Sequence, residues 1–364
     1  MFSKKHPGGL AILIMAGLFL LNCGERSDFK SISEAHPENI LRHSTSLYSA
    51  IAFFIGTQLD IFTRLDEKPM AAAEAAEAME IKPHFMERLL YALAAAEMLE
   101  VKQGIFSNTP ESSRYLVKGK PDYLGDHVLV NPLLKYWMFF AATVTADTLR
   151  NGTASQALDY AESDFETLLE TFRGTMPVAV YAGRALAKHF DLSSYKTLAD
   201  VGGASGGLAV SLHKAYPHLD ITVTDLSSVT PVAQALLKEQ GASGIDVLEW
   251  DVLAGSCRRT FDVVVLRALI QVLPADQAYA AIENIAASLN PGGQLILMGH
   301  VMDSSLTSPP EEVIWYLLNL NWEDHAGFFS EDNIREMLIR AGLTDIQRTA
   351  LPNGDQVMWG RKPN

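Results

Sequence analysis

The stretch that decides the fold is LADVGGASGGLAVSLHKAYPHLDITVTDLSSV, which covers residues 198–229. It contains a short apolar segment, a glycine-rich turn at residues 202–207, a helical segment and a second apolar segment. Glycine is favoured where the backbone takes a positive φ or must approach a ligand closely. A strand, a glycine turn and a helix in this order predict a ligand-binding turn in an α/β domain. The turn lacks the G-x-G-x-x-G spacing, so binding of a nicotinamide dinucleotide is disfavoured.

The alternation of apolar and helical segments continues toward the C-terminus. It predicts strands at residues 197–201, 219–224, 246–250, 261–266 and 294–298, and an edge strand at residues 357–360. Strands that alternate with helices predict a parallel sheet covered by helices on both faces. The first half of the chain is instead mainly helical, and VKQGIF at residues 101–106 predicts a short hairpin that turns at Gly104. Helices followed by a small hairpin are typical of a winged-helix module.

Composition limits the functions that the chain can have. Its 364 residues predict two domains, and 48% hydrophobic residues suffice for a sizeable core. The formal net charge of −14 disfavours general binding to nucleic acid, because an acidic surface repels phosphates. Two cysteines cannot form a disulfide framework or a cysteine-rich zinc site, and no metal site is predicted.

Three acidic residues accompany successive predicted strands. Asp200 belongs to the first strand, Asp225 ends the second and Asp251 ends the third. Ligands of open α/β sheets bind at the carboxyl ends of the strands, and a carboxylate there can accept hydrogen bonds from both hydroxyls of a ribose. One such residue is usually a turn or helix cap, but three after one glycine turn favour a ligand that contains a nucleoside.

With these residues, the stretch at 198–229 resembles the S-adenosylmethionine-binding core of O-methyltransferases that act on phenylpropanoids, hydroxyindoles and bacterial polyketides. The segments DIFTRL, PHFMERLLYALAAAEMLEVKQGIFSNT and SRYLV are similar to that family's winged-helix dimerisation module. The resemblance implies an α/β, Rossmann-like class I methyltransferase domain at residues 196–364. It also implies a mainly helical winged-helix dimerisation domain at residues 40–122, a helical connector at 123–195, and a homodimer formed through the N-terminal domain.

The resemblance implies S-adenosylmethionine as cofactor and a small molecule as methyl acceptor. Met176 matches a methionine that packs near the donor methyl group or the acceptor. The positions that match the family's cofactor contacts are Asp200, Gly202 and Gly203 for the amino-acid portion, Asp225 and Leu226 for the ribose and adenine, Asp251 and Val252 for the adenine, and Arg267 where the family often has lysine.

The sequence departs from the family at the catalytic stretch. The family reads approximately L-[KR]-x-x-L-H-D-W, whereas residues 266–273 read LRALIQVL. Gln271 therefore stands at the position of the histidine that deprotonates the acceptor, and its amide cannot act as a general base. Gly299 and Phe328 stand where the family has the carboxylates that orient that histidine. The whole catalytic set is changed.

Two other histidines are candidates for the missing base. His300 follows the predicted fifth strand, and His325 lies in the acidic segment Glu323-Asp324-His325. His325 is favoured, because neighbouring carboxylates would raise its basicity. The alternatives are that each histidine is an ordinary polar residue, or that the acidic segment binds a metal ion.

These features predict an S-adenosylmethionine-dependent methyltransferase that acts on oxygen of a small aromatic or polyketide-like acceptor without the usual histidine. The alternatives are a non-methylating member of the family, of the hydroxylase or decarboxylase kind, and a cofactor-binding pseudoenzyme. A winged-helix DNA-binding regulator is disfavoured, because residues 41–120 contain nine Lys and Arg against ten Asp and Glu.

The first thirty residues form a leader that resembles a secretory signal. Lys4 and Lys5 precede an apolar run at residues 8–21, which is shorter than the roughly 20 residues of a membrane-spanning helix. A membrane anchor through this leader is a further possibility. Export would remove the chain from the compartment that contains the cofactor, so a cytoplasmic body is expected. The alternative is an exported or lipid-anchored protein, with the lipid at Cys23.

Overall fold

The computed structural model describes residues 36–131, 134–135, 137–157 and 159–364. The chain divides into two compact units, residues 1–47 and 48–364, and helix α1 (Glu38–Thr45) belongs to the first. The leader expected at residues 1–30, with Cys23, lies outside the described residues. Within the described part of the chain, no helix is both long enough and apolar enough to cross a membrane.

The next region is a small helical module with a three-stranded sheet in the order β1-β3-β2. The predicted hairpin is present, and Gln103 and Gly104 at its turn both have positive φ, as a two-residue type I′ turn requires. A buried core that includes Phe62, Leu90 and Phe106 holds the module together. Its elements are α2 (Leu47–Gln58), α3 (Ile61–Glu67), β1 (Met70–Ala71), α4 (Ala72–Ala78), α5 (Pro83–Ala95), β2 (Leu99–Lys102), β3 (Ile105–Asn108) and α6 (Pro110–Tyr115).

A helical region leads from this module to the large sheet. Its long helix α9 begins after Asp164, whose carboxylate accepts a hydrogen bond from the Thr167 N–H and satisfies a free donor of the first turn. The buried side chains of Phe172 and Met176 join the core on one face of the sheet. The helices are α7 (Gly125–Val130), α8 (Ala142–Asn151) and α9 (Phe165–His189), with a π-helical turn at Trp137–Ala141.

The C-terminal part is a seven-stranded sheet in the order β6-β5-β4-β7-β8-β10-β9. Strands β4 to β8 are parallel to their neighbours among these five, and β10 is antiparallel to both β8 and β9. The elements are β4 (Thr197–Val201), α10 (Gly207–Ala215), β5 (Asp220–Asp225), α11 (Thr230–Glu239), β6 (Asp246–Glu249), β7 (Phe261–Arg267), α12 (Ala275–Ala287), β8 (Leu289–Gly299), α13 (Pro310–Asn319), α14 (Glu331–Arg340), β9 (Thr344–Ala350) and β10 (Gln356–Arg361).

Helices cover both faces of this sheet, as the alternation of segments predicts. Along β7, Val263 and Val265 belong to the core shared with α9, α10 and α11. Val264 and Leu266 belong to the opposite core, which is shared with α12 and α14. Successive side chains of a strand point to opposite faces, so both faces of β7 are buried. The architecture is a Rossmann-like α/β fold preceded by a helical module.

Two details of the sheet differ from the prediction. The segment predicted as an edge strand, residues 357–360, lies in β10, which is an internal strand because it pairs with both β8 and β9. The strand at this edge of the sheet is β9, and β6 forms the opposite edge. The sequence did not reveal β9, because its apolar pattern is weak. In addition, β8 (Leu289–Gly299) is longer than the strand predicted at residues 294–298.

Helices α9 and α10 pack closely where α9 has Gly183. A Cβ atom at Gly183 would lie 2.8 Å from the carbonyl oxygen of Leu208 and 2.8 Å from Cβ of Ser211. We expect Gly183→Ala to lower the free energy of unfolding by about 1–3 kcal/mol, because backbone and side chain would have to shift. Chemical denaturation measures this change.

The matched control is Glu170→Ala, which changes an exposed position on the same helix. Its effect is expected to stay within about 0.5 kcal/mol. An equal loss of stability in the two variants would contradict the close packing at Gly183.

Candidate active site

The carboxyl ends of four neighbouring strands meet at one edge of the sheet. Val201 of β4 is in register with Thr224 of β5 and with Leu266 of β7, and Arg267 of β7 is in register with Met298 of β8. The residues that follow these strands therefore lie side by side. This edge is where open α/β sheets bind ligands.

The glycine turn after β4 is fixed to the end of β5. The N–H groups of Gly202 and Gly203 donate to the Thr224 carbonyl, at 2.8 and 3.3 Å. Gly202 has a φ of 64°. A Cβ atom at Gly203 would lie 2.8 Å from Cγ of Asp200. The turn thus needs glycine to adopt its conformation and to lie against the Asp200 carboxyl group.

Asp200 is buried under this turn. Its Oδ2 accepts a hydrogen bond of 3.2 Å from the Ala209 N–H in the first turn of α10. Burial raises the pKa of Asp200 to about 7; the Ala209 hydrogen bond opposes this, the charge of Asp225 adds to it, and Arg267 opposes it. The carboxyl group therefore supports the turn from below.

Asp225 ends β5 and is partly exposed. Its Oδ2 accepts a hydrogen bond from the Ala204 N–H and its Oδ1 accepts one from the Leu226 N–H, each at 2.9 Å. Burial raises the pKa of Asp225 to about 6, and these two hydrogen bonds oppose the rise. Each oxygen retains a further lone pair that can accept a hydrogen bond from a ligand hydroxyl.

Arg267 ends β7 at the same edge. Its Nε is buried and has no hydrogen-bond partner among the described residues, and its charge lowers the pKa of Asp200. A buried donor without a partner is costly, so such a group points to a ligand acceptor. The glycine turn, the Asp225 carboxylate and this donor fit a ligand that has ribose hydroxyls and a carboxylate.

Sequence reasoning missed Tyr160 and named Glu323 only as part of the acidic segment at residues 323–325. Tyr160 is stacked on Phe172, with ring centroids 6.0 Å apart, and its pKa is raised by burial and by the charges of Glu323 and Asp225. The pKa of Glu323 rises to about 7 through burial and the charges of Asp324 and Asp159. Tyr160 lies in a loop before α9, and only the tertiary structure brings it to the strand ends.

Two family models match most of the chain. Residues 150–344 match the O-methyltransferase domain, and residues 41–118 match the O-methyltransferase dimerisation domain. The chain belongs to the O-methyltransferase family. It is an S-adenosylmethionine-dependent methyltransferase, and S-adenosylmethionine is its cofactor. The matched dimerisation domain supports a homodimer.

Several relatives of known name are similar over nearly the whole chain. The tetracenomycin polyketide synthesis 8-O-methyl transferase TcmO of Streptomyces glaucescens is 28% identical and covers 90% of this chain and 97% of its own. The N,N-dimethyltransferase OxyT of Streptomyces rimosus is 26% identical, with coverages of 90% and 97%. The 3-hydroxy-5-methyl-1-naphthoate 3-O-methyltransferase of Streptomyces sahachiroi is 26% identical, with coverages of 88% and 93%.

Solved structures show the same fold. CalO1, a methyltransferase in calicheamicin biosynthesis, superposes with a TM-score of 0.75 at 18% identity and covers 93% of this chain and 100% of its own. Human N-acetylserotonin methyltransferase in complex with SAM superposes with a TM-score of 0.71 at 23% identity, with coverages of 92% and 100%.

In this O-methyltransferase, Gln271, which the sequence predicts at the position of the family's histidine, is closed to solvent. Gln271 lies in a 3-10 turn, Ile270–Val272, with 0% of its surface exposed, and neither polar atom of its amide has a partner among the described residues. Gly299 has a φ of 129°, and a Cβ atom there would lie 3.2 Å from Gln271 Nε2. Phe328 is half exposed and packs edge-on against Tyr316.

His325 does not fit its predicted catalytic role. Its side chain is 85% exposed, and its Nε2 lies 3.3 Å from Oδ1 of Asp324. Asp324 is already engaged, because its Oδ2 accepts a hydrogen bond from the Ala154 N–H. The acidic loop therefore fixes the loop at residue 154 and leaves the imidazole in solvent. Of the residues that the structure describes, no group of three or more His, Cys, Asp and Glu could hold a metal ion.

The segment after β6 lies beside the end of β5, because the Trp250 N–H donates to the Asp225 carbonyl at 2.9 Å. Asp251 stands two residues beyond β6, is exposed, and accepts a hydrogen bond from the Leu253 N–H, which is a turn-capping role. Val252 is buried, and its carbonyl accepts a hydrogen bond from Asn284. Leu226 follows Asp225 and is partly buried. Met176 is buried on α9 and lines a cavity of 540 Å³ between α9, α11 and residues 121–126.

The raised pKa of Asp200 predicts a pH-dependent stability. Between about pH 4 and pH 7 the folded state keeps a proton that the unfolded state has lost, so the free energy of unfolding falls as pH rises. We expect Asp200→Asn to raise the unfolding temperature of the ligand-free protein by roughly a few degrees at about pH 8, and the gain to shrink toward pH 4. Thermal denaturation across this range measures it.

Asp262→Asn is a control of opposite sign. Burial raises the pKa of Asp262, but hydrogen bonds from Asn290, Lys196 and Thr197 outweigh burial and lower it overall. This substitution is therefore expected to destabilise the protein at about pH 8. A destabilised Asp200→Asn variant at that pH would show that the buried carboxylate is favourable in the ligand-free protein.

Proposed function

We propose that this protein methylates oxygen of a small aromatic or polyketide-like acceptor without the family's histidine. The observation that carries the proposal is an assembled cofactor edge beside an altered catalytic position: Asp225 and the turn at Gly202 are in place, whereas Gln271 is a buried amide. The names of TcmO and the naphthoate 3-O-methyltransferase support an aromatic hydroxyl as acceptor.

Asp225 and the glycine turn are proposed to bind the cofactor. The free lone pairs of Asp225 accept the ribose hydroxyls, and the missing Cβ atoms of Gly202 and Gly203 let the amino-acid portion approach the backbone. Leu226 would flank the adenine, Asp251 and Val252 would contact it, and Arg267 would offer its Nε–H to the cofactor. The bound cofactor supplies a methyl group activated by a positively charged sulfur.

This chain's residues contribute mainly by positioning. An acceptor held against an activated donor reacts as if within one molecule, which lowers the barrier by several kcal/mol. Met176 lies on α9, the helix that precedes β4. It is proposed to border the donor or the acceptor. The N,N-dimethyltransferase OxyT supports a second candidate acceptor, an amine nitrogen, which attacks through its own lone pair.

The homodimer is proposed to form through α2 and α5. Ile51 and Ile55 on α2, and Phe85 and Tyr91 on α5, are large apolar side chains that this chain leaves exposed. Apolar surface of this kind marks a protein interface.

We also propose a cytoplasmic location for the folded part, because its cofactor is made there; export or lipid attachment at Cys23 is the competing proposal.

The role of Asp225 can be tested by calorimetric titration with S-adenosylhomocysteine. We expect Asp225→Ala to weaken binding at least about tenfold, because a charge-assisted contact to two hydroxyls is lost. Asp220→Ala is the matched control, since it removes an exposed carboxylate at the opposite end of the same strand, and its affinity should equal that of the unaltered protein.

The same titration tests the proposed function. Micromolar binding together with methylation of a naphthol supports the methyltransferase proposal. Binding without methylation of any hydroxyl or amine would favour the non-methylating or pseudoenzyme alternative. Unchanged affinity in Asp225→Ala would overturn the proposed cofactor contacts.

A further inference from the structure

His300 lies beside the position that the family's histidine would occupy. It directly follows Gly299, the last residue of β8, at the carboxyl edge of the sheet. Gly299 adjoins the side chain of Gln271, whose Nε2 is 3.2 Å from the point where a Cβ of Gly299 would be. Strands β7 and β8 are neighbours in the sheet. His300 follows β8 and the turn that carries Gln271 follows β7, so the two residues lie beyond adjacent strand ends.

The imidazole of His300 is held by two side chains of α13. Its Nδ1 contacts Oε2 of Glu312. Its ring stacks on Trp315, with centroids 3.6 Å apart and planes inclined by 10°. A carboxylate at Nδ1 keeps the proton on that nitrogen and leaves a lone pair on Nε2. The His300 side chain is 24% exposed, so part of the imidazole is open to solvent.

Helix α13 fixes both turns of this edge. The Tyr316 hydroxyl donates to the His300 carbonyl at 2.9 Å, and Asn319 Nδ2 donates to the Gln271 carbonyl at 3.4 Å. One helix thus sets the backbone at residue 300, the orientation of its ring and the backbone of the neighbouring turn. Such fixed orientation is what a general base needs.

Charged and titratable groups surround His300 from three elements of the fold. Glu312 and the Tyr316 hydroxyl face it from α13. From β9, Arg348 donates to the Val301 carbonyl at 3.4 Å, and its charge is paired with Glu331 of α14. The carboxylate in direct contact is Glu312, and it stabilises the imidazolium that forms when Nε2 takes a proton.

We propose that His300, positioned by Glu312, is the general base that deprotonates the acceptor hydroxyl in this enzyme. The inference rests on the proposed O-methyltransferase function. Nε2 of His300 takes the hydroxyl proton while the acceptor oxygen forms a bond to the methyl carbon and the carbon–sulfur bond breaks. That bond's electron pair stays on sulfur, which gives the neutral thioether and the methyl ether. The imidazolium then returns its proton to water.

The first test compares two acceptors of different acidity, naphthol and nitronaphthol. Nitronaphthol is largely ionised near neutral pH, so it needs little help from a base, whereas naphthol does. We expect His300→Gln and Glu312→Gln to lower kcat for naphthol by about a hundredfold and by about tenfold respectively, and His300→Gln to lower kcat for nitronaphthol less than about tenfold. His325→Gln, at an exposed histidine outside the site, is the matched control and should leave both rates unchanged.

Equal losses for both acceptors in His300→Gln would make His300 a structural residue and overturn the inference. Titration with S-adenosylhomocysteine checks that the variants fold, since their affinity should match that of the unaltered protein. The side chain of Glu312 contacts the imidazole of His300. Unaltered naphthol methylation in Glu312→Gln would overturn the positioning role of Glu312.

A second readout needs no methyl transfer. Nitronaphthol absorbs differently once ionised, so its absorbance in the complex with S-adenosylhomocysteine reports its protonation. We expect the unaltered protein to ionise the bound probe at a lower pH than His300→Gln does. Equal titration curves would overturn the base role. Preserved ionisation without methylation of either probe would support the base and count against the proposed function, so the two failures are distinguishable.

Discussion

Two carboxyl groups that pack against one glycine turn are the constraint on which the rest of the site depends: Asp200 is buried, and Asp225 is partly exposed. Asp200 supports the turn from inside the fold, and Asp225 fixes its outer side through the N–H of Ala204. Burial raises the pKa of both. A Cβ atom at position 203 would collide with the carboxyl group of Asp200, so this close packing requires glycine at position 203. Removal of these carboxyl groups from water costs electrostatic free energy, and hydroxyl donors of a ligand would lower that cost.

The sheet separates the two tasks of the enzyme along one edge. The ends of β4 and β5 carry the carboxylates and the glycine turn, and the ends of β7 and β8 carry Arg267 and the turns that α13 holds. Parallel strands place these ends at one level, so a donor and an acceptor can meet there. The altered catalytic position changes only the second half of the edge.

The connector helices complete the site from outside the sheet. Asn321 accepts hydrogen bonds from Thr148 and Ser155, so the loop after α8 is fixed to the segment after α13. That junction brings Tyr160 near both Glu323 and Asp225, whose charges add to the effect of burial in raising the pKa of Tyr160. The environment of the strand ends is thus built from residues more than 150 positions apart in the chain.

The sequence by itself determined the α/β sheet, because local periodicity shows the alternation of strands and helices. It also determined the hairpin at Gly104 and the glycine turn, because both depend on the conformation of glycine. The place of Asp225 at a strand end followed from the end of the apolar segment before it. The same local reasoning favoured His325 over His300 and placed an edge strand at residues 357–360. Only the tertiary structure decided that His325 lies in solvent, that His300 meets Glu312 and Trp315, and that β10 is internal. The exposure of a side chain and the pairing of a strand depend on contacts between distant segments, which the composition of either segment does not encode.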